Sequence, residues 1–519
     1  MKRFYHSLVS YRYGEAILLS GILLIYAALT LGNITRWSIW FDEAFGAYLT
    51  RFNFIEIAQL TAQDVHPPFY YWVLKVWSSL FGATDLGFRS LSLVMGMVAI
   101  VIVFVLIKRL FTSTTWALGG AFLMAISPLM VRLGDEARMY TMVCAIVFGA
   151  SYALIRASEA RSSRWWWVLY GALVCVGMLT HYFTALAWLA HWVWRWREKR
   201  AGRLKRFWSR EWILSYGAAI LLFSWWLPVM VYQFTSVQKG FWIPGVSVYS
   251  IADYLTNIVL YRQYGEAAEW WAVLAVCAVI VSVMAIRRGY PVVKNRSPIG
   301  ANLLVSLAAV PPILLMIISL PPLKSAMIDR YILYSQVALV VLVGVCFAAA
   351  LSVRPISRRL RLAVIGLSVI MLVGVGNVYY FGNYNKNSST SIRVKEVVQQ
   401  INHYSRAEYP IISETPWIYY EAVVYNTQQN GVYFLESSTN NYKEGALAAL
   451  KASDFHKIKD LEAFTEQHRY VWYMGNKQSG DMVPPVASWK AVTSVEGYDY
   501  IQNNARYRAT LFDTRPNAE

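Results

Sequence analysis

Apolar runs long enough to cross a bilayer recur along this chain, and nothing else constrains its fold as strongly. A membrane-spanning helix needs about 20 predominantly apolar residues, because the hydrocarbon core holds no water to satisfy an open backbone. Eleven such runs can be traced, near residues 16–32, 88–110, 115–133, 137–157, 165–180, 182–196, 212–232, 269–287, 301–320, 328–351 and 361–381. The fifth and sixth are short and share Thr180-His181-Tyr182 as a hinge. Of the 519 residues 57% are hydrophobic and only 15% are charged, against roughly 25% charged in an ordinary soluble domain. This excludes a disordered chain, a disulfide scaffold and a small soluble enzyme. The expected fold is a polytopic α-helical membrane protein.

A net charge of +18 on so charge-poor a chain needs a reason, and the distribution supplies it. With the N-terminus in the cytoplasm, the inside connections carry 24 Lys and Arg. Among them are Lys108, Arg109, Arg156, Arg164 and a group of eight from Arg195 to Arg210, against four acids, Glu15, Glu159, Glu198 and Glu211. The outer loops carry ten bases and eleven acids, and residues 382–519 carry fourteen and fifteen. Cytoplasmic loops hold the excess of Lys and Arg, so an odd number of spans places the C-terminal region outside the cytoplasm. The basic excess is an orientation signal and implies no nucleic-acid partner. The basic start and first apolar run look like a signal peptide, but no small-residue cleavage site follows, so an uncleaved anchor is expected. Cys144, Cys175, Cys277 and Cys346 all fall within spans with no C-x-x-C pair, which suggests neither a disulfide framework nor a zinc site.

Residues 1–381 form the expected membrane domain. Its first outer loop, 33–87, holds Phe45, Tyr48, Leu49 and Phe52 at helical spacing, the pattern of an amphipathic helix lying in the membrane interface. A second aromatic segment, Phe69 to Leu74, follows Pro67-Pro68 and starts like a helix with Pro in its first turn. Residues 382–519 open with the polar stretch Gly382–Asn387 and then alternate. Helices are expected over Val394–Tyr404, Pro416–Tyr425, Ala446–Leu450 and Leu461–Gln467, and strands over Tyr409–Ser413, Val432–Leu435, Tyr470–Met474 and Arg508–Phe512. This alternation predicts a C-terminal extracytoplasmic α/β domain with a largely parallel sheet. It carries no glycine fingerprint for a nucleotide, and an accessory role is expected.

The polar residues that stand out lie at span ends on the outer side. Asp42-Glu43 follows the aromatic pair Trp40-Phe41; acids also favour a helix N-terminus for purely structural reasons. A second acid pair, Asp135-Glu136, precedes Arg138 and Tyr140, and i, i+3 spacing permits a plain salt bridge from Asp135 to Arg138. Asp64-Val65-His66, Thr180-His181-Tyr182 and Asp329-Arg330-Tyr331 complete the set. Arg forks match phosphate oxygens well. No Asp, Glu, Lys or Arg falls in the middle of a span, whereas ion-coupled transporters use such groups as relays.

Four of these motifs, Phe41-Asp42-Glu43-Ala44, His66-Pro67-Pro68-Phe69-Tyr70-Tyr71, Glu136-Ala137-Arg138-Met139-Tyr140 and Asp329-Arg330-Tyr331, resemble the GT-C glycosyltransferases. The resemblance is to the group containing protein O-mannosyltransferases and lipid A aminoarabinose transferases. It covers roughly residues 10–381 in order and topology, and the tail only loosely. It implies a GT-C fold of about 11 spans in the plasma or inner membrane. The implied reaction takes a sugar from a polyprenyl-phosphate donor to an extracytoplasmic acceptor (protein, lipid or glycan), usually with inversion. Carried over, Asp42 would be the general base, and Glu43 would support it or bind the acceptor. The Asp135-Glu136-Arg138 turn would shape the site, with Tyr140 and Tyr331 beside the substrate. Arg138, His66, His181 and Arg330 would hold the donor phosphate, although many relatives carry Lys where His181 stands. The sequence calls for no cofactor; Asp42, Glu43 and His66 could take a divalent metal, but their spacing is not diagnostic.

The chemistry points the same way without the family. Glycosyl transfer passes through an oxocarbenium-like state. A carboxylate base on the acceptor suits it, and cations can stabilise a departing phosphate in place of a general acid. A transporter or flippase of lipid-linked sugars is the competing class. It would show pseudo-symmetric halves and mid-span charges, and neither is seen. A membrane scaffold or receptor would leave the two acid pairs unexplained.

Overall fold

The computed structural model describes residues 13–159, 163–239, 243, 245–261, 269–353, 355, 358–381, 394–404, 409–427, 431–435, 456–477, 480–498 and 506–515. By its contacts the chain divides into two units, one of Met1–Ile34 with Arg89–Tyr380 and one of Thr35–Phe88 with Phe381–Glu519.

Helix α1 (Gly14–Leu31) opens the first unit. The next three, α2 (Phe41–Leu49), α3 (Phe54–Ala62) and α4 (Phe69–Phe81), belong to the second. The chain continues through α5 (Asp85–Phe111), α6 (Thr114–Ala125), α7 (Pro128–Gly134), α8 (Tyr140–Ser158), α9 (Trp165–Thr180) and α10 (Thr184–Arg200). Then come α11 (Arg210–Phe223), a 3-10 turn at Ser224–Trp226, α12 (Leu227–Lys239), α13 (Val248–Asn257) and α14 (Glu269–Arg296). The last are α15 (Pro298–Ile318), a 3-10 turn at Asp329–Ile332, α16 (Leu333–Ser352) and α17 (Arg358–Phe381).

Every expected span coincides with one of these helices or with a pair joined by a short turn. Among the described residues eight helices are long and apolar enough to cross a membrane, nine if α6 and α7, bent by 62°, count as one crossing. The bend falls at Ser127-Pro128. Pro cannot donate to the helical ladder and is at home in the first turn of a new helix. Helices α9 and α10, of 16 and 17 residues, complete the eleven.

Polar contacts reveal how these helices run. At one end of the first unit, Lys108 and Thr114 both meet Glu15, and Arg109 pairs with Glu159 at 2.6 Å. At the same end Arg296 donates to Thr112 Oγ1 at 2.8 Å and Asn302 to Glu198 at 2.6 Å. At the other end Asn33 donates to Asp135 at 2.7 Å, Asn257 to Asp329 at 2.5 Å and Asn377 to the Leu260 carbonyl at 2.8 Å. Successive crossings therefore alternate in direction. The described members of the basic clusters share the end marked by Glu15, and the acid turn lies at the opposite one.

Helix α16 is the hub of this unit, with nearly all its residues buried and α6, α14 and α15 packed on it. Lipid provides no hydrophobic push between helices, so close approach relies on small residues. A Cβ on Gly344 would lie 2.6 Å from the Gly119 carbonyl oxygen, and one on Gly289 only 2.0 Å from that of Cys346.

The second unit adds α18 (Val394–Tyr404), β1 (Ile411–Ser413), α19 (Pro416–Tyr425), β2 (Val432–Leu435) and β3 (Lys457–Ile458). It ends with α20 (Leu461–Gln467), β4 (Tyr470–Asn476), β5 (Lys490–Tyr498) and β6 (Arg506–Asp513). The sheet order is β3-β2-β1-β4-β6-β5. Strands β1 to β4 pair in parallel, whereas β6 runs antiparallel to β4 and to β5. The sheet is thus mixed where a largely parallel one was expected. Strands β4, β5 and β6 follow one another with no described helix between them, and parallel neighbours require a long crossover. Alternation along the strands sets the two faces. Ile412, Val471, Tyr473 and Phe512 pack with Trp489 and Met482 beneath α20, while Trp472 faces Tyr404 of α18. The expected helix at Ala446–Leu450 and the polar link Gly382–Asn387 lie outside the described residues.

One expectation changes here. The stripe expected to lie in the membrane interface is instead covered by protein: Phe45, Tyr48 and Leu49 are buried. Helix α2 packs on α19, where the Tyr420 ring lies 5.8, 5.4 and 5.1 Å from Phe41, Phe45 and Tyr48. An apolar stripe reads the same whether lipid or protein covers it.

Candidate active site

The bend after α6 makes α7 a short helix that ends at Gly134, directly before Asp135 and Glu136. Both acids are fully buried, and they follow a helix C-terminus, where the macrodipole disfavours anions. Arg132, one turn earlier, is a counter-ion to both. Its Nη1 donates to Glu136 Oε2 at 2.6 Å and lies 3.7 Å from Asp135 Oδ1. Its Nε donates to the Tyr261 hydroxyl at 3.0 Å, and burial pushes that hydroxyl above its ordinary range. Asn33 Nδ2 donates to the second Asp135 oxygen at 2.7 Å. The Arg138 backbone is held too: its N–H donates to the Glu136 carbonyl at 2.7 Å and its carbonyl accepts from Ser92 Oγ at 2.9 Å.

A second group forms at the same end of the unit. The Arg330 guanidinium lies 5.8 Å from the Tyr140 ring. The His181 ring is 5.9 Å from Tyr140 and 5.1 Å from Tyr331, which stacks on Phe183 at 4.9 Å. The 3-10 turn before α16 supplies Arg330 and Tyr331, the start of α8 supplies Tyr140, and the cap of α9 supplies His181. All four are buried. Rings engage the face of a guanidinium, whereas its donors lie in the planar edge that fits carboxylate or phosphate. The segment 135–140 thus joins both groups. An apolar cavity of about 210 Å³ in this unit is lined by Leu255, Ile258 and Val259, close in the chain to Asn257 and Tyr261, together with Val283, Val343 and Met371.

The second unit holds the other expected residues. Asp42 and Glu43 occupy the first turn of α2, where the dipole favours acids. Asp42 is half-buried; Glu43 is fully buried and accepts the Trp40 N–H at 3.3 Å. His66 Nδ1 lies 3.1 Å from Asp64 Oδ2. Helix α19 braces α2 and carries Glu421, which the motifs did not single out. Glu421 is 1% exposed, neither of its carboxyl oxygens has a hydrogen-bond partner, and burial with the nearby Glu43 charge pushes it well above the usual carboxylate range. Among the described residues no three His, Cys, Asp or Glu are grouped to hold a metal ion.

Arg132 could have been found from its i, i+3 and i, i+4 spacing to the acids. Asn33, Tyr261 and Glu421 carried no local signal, because long-range packing brings them into place.

Residues 65–232 match the family described as dolichyl-phosphate-mannose-protein mannosyltransferase. ArnT from Cupriavidus metallidurans bound to undecaprenyl phosphate is similar in structure with a TM-score of 0.61 at 13% identity, covering 96% of this chain and 98% of that one. Its apo state gives 0.60 at 12% identity over 95% and 97%. The apo oligosaccharyltransferase of Archaeoglobus fulgidus gives 0.51 at 14% identity, covering 81% of this chain and 64% of that one. No curated protein matches the sequence. The chain is therefore a polytopic membrane protein of the GT-C fold, as its motifs imply. Within that class its likeness to ArnT runs along nearly the whole of both chains.

Proposed function

We propose that this protein is a membrane glycosyltransferase that moves a sugar, with inversion, from a polyprenyl-phosphate donor to an acceptor hydroxyl outside the cytoplasm. The observation that carries the reading is the buried segment 135–140 in a chain of GT-C fold, with Arg132 on its acids and Arg330 on its tyrosine. A transporter has no evident use for that arrangement at one end of the helices.

In the proposed reaction the acceptor oxygen attacks the anomeric carbon. The bond from that carbon to the phosphate oxygen breaks, and the electron pair leaves with the phosphate. Asp42 takes the acceptor proton, and Glu43 supports it or orients the acceptor. Arg330, Arg138, His181 and His66 hold the donor phosphate, whose growing charge they stabilise more than that of the intact ester. Asp135 and Glu136, neutralised by Arg132, keep the turn in shape. The apolar cavity beside Asn257 takes a segment of the polyprenyl chain, in keeping with the undecaprenyl phosphate bound to ArnT.

Membranes supplied with labelled polyprenyl-phosphate hexoses and pentoses test this. Acceptor-dependent release of free polyprenyl phosphate is expected with one of them. Asp42→Asn should lose about 10²- to 10⁴-fold in rate, the usual worth of a general base, with expression and membrane insertion unchanged. Normal turnover in that variant would remove Asp42 from its role. No release with any donor would favour transport of lipid-linked sugars.

A further inference from the structure

Glu421 has no role in the scheme above, and its setting is unusual. It lies in the interior of α19, the ten-residue helix that packs on α2 through Tyr419 and Tyr420. It therefore gains nothing from a helix end. It is buried, and both its oxygens lack hydrogen-bond partners. Glu43 is different: it stands in the first turn of α2 and accepts a backbone N–H.

Among the described residues no cation bonds to Glu421: Arg51, which follows α2, donates to the Val423 carbonyl at 2.7 Å instead. Helix α2 brings Asp42 and Glu43, and the Glu43 charge adds to burial in raising the Glu421 carboxyl. On β6, burial raises the Tyr507 hydroxyl, and Glu414 follows β1. Helix α18 brings Glu396, His403 and Lys395, and Lys395 is engaged by Asp85 at 2.6 Å. Strand β2 adds Tyr433. Burial and a neighbouring like charge both disfavour an ionised carboxylate. With no partner for either oxygen, Glu421 keeps its proton.

We infer that Glu421 is a positioning residue, a neutral carboxylic acid that the C-terminal segment sets against α2 so that no further charge stands behind Glu43. This rests on the reading of Glu43 as an acid on the acceptor side of the reaction. Glu421 itself touches no substrate. Its loss of a proton would place a second negative charge behind Glu43 and disturb the α2–α19 contact that holds the Asp42-Glu43 turn.

The experiment compares the full-length protein with Glu421→Gln, which keeps shape and neutrality, by thermal unfolding and by transfer rate across pH 5–9. A carboxyl raised in the folded state gives stability that is complete below its unfolded value, about 4.3, and is lost as pH rises toward the folded value. Glu421→Gln should therefore melt higher than wild type at pH 8, and the gain should shrink toward pH 5. The alkaline limb of the transfer profile should move up by about one pH unit or more. A melting difference that is the same at every pH would overturn the neutral acid, and an unmoved alkaline limb would overturn its link to Glu43. If wild type transfers no sugar, the positioning role falls with the proposed function, while the melting comparison still reads the protonation of Glu421. If Glu421→Gln does not accumulate, Glu421→Met decides, because a neutral, unpartnered side chain tolerates an apolar replacement. Failure of both variants overturns the inference.

Discussion

A guanidinium buried between two carboxylates has no equal substitute, since Lys offers a point charge in place of a planar fork. Arg132 meets Glu136 and Asp135 on one side and Tyr261 on the other, with the side chains of all three charged residues buried. Removing it leaves two acids at a helix C-terminus without their counter-ion. Breaking a buried pair in this way costs about 3–5 kcal/mol. Arg132→Ala should therefore lower the melting temperature sharply, and adding Glu136→Gln should restore part of the loss in a double-mutant cycle. Single and double variants that melt like wild type would show the cluster to be dispensable. Asp135-Glu136 was legible in the sequence because acids are rare in this chain, and their neighbour Arg132 sat at the right spacing. The backbone contacts of Arg138 to Glu136 and Ser92 are ones that no spacing reveals. Glu421 was illegible for another reason: between Tyr420 and Ala422 it looks like any acid on a solvated helix face. Only the packing of α2 on α19 buries it.

At the scale of elements, hydropathy located the spans well because it reports solvent, and it misjudged what depends on partners. Helix α14 continues to Arg296, well past its apolar run, because a helix need not stop where lipid does. Strand β5 went unseen because Lys490-Ala491-Val492-Thr493-Ser494-Val495-Glu496 keeps no clean apolar alternation, as befits an edge strand. The helices 394–404, 416–425 and 461–467 have the bounds their sequences suggest; the first keeps the period of a half-buried helix, with Val394, Val397, Val398 and Ile401 on its buried face. The helix contacts inside the membrane unit depend on glycines instead. Gly289 lies against the backbone of Cys346, where a Cβ would come within 2.0 Å of a carbonyl oxygen. Gly289→Val must push α14 off α16 and should abolish a monodisperse peak in size-exclusion chromatography. Gly217→Ala on α11 is the control: nothing lies within 4 Å of its added Cβ, and Ala gains up to about 1 kcal/mol in helix propensity. Equal behaviour of the two variants would show that α14 and α16 need no close approach.

Across the whole molecule, the sidedness of the site depends on whether the bent pair α6–α7 crosses or returns. Were it a re-entrant loop, the ends of α5 and α8 would lie on opposite sides. Yet Arg109 at the end of α5 pairs with Glu159 just after α8, and Thr114 at the start of α6 meets Glu15 at the start of α1. The pair therefore runs from one end of the unit to the other, and Asp135 lies opposite Glu15. The short helices α9 and α10 leave this parity unchanged, because they go out and back: His181 meets Tyr140 at one end, and Glu198 meets Asn302 at the other. On the proposed topology, eleven traversals put the N-terminus and the end of α17 on opposite sides. The Lys and Arg groups then choose the orientation, with the eight between Arg195 and Arg210 as the largest. In a background with the four native cysteines replaced by Ser, Ala201→Cys should react with a membrane-impermeant maleimide only after spheroplasts are opened. Asp481→Cys, beyond α17, should react in intact ones. The reverse pattern would place the acid turn in the cytoplasm and end the case for an acceptor outside it. Labelling of both sites in intact spheroplasts would instead break the odd count that the contacts within the helical unit require.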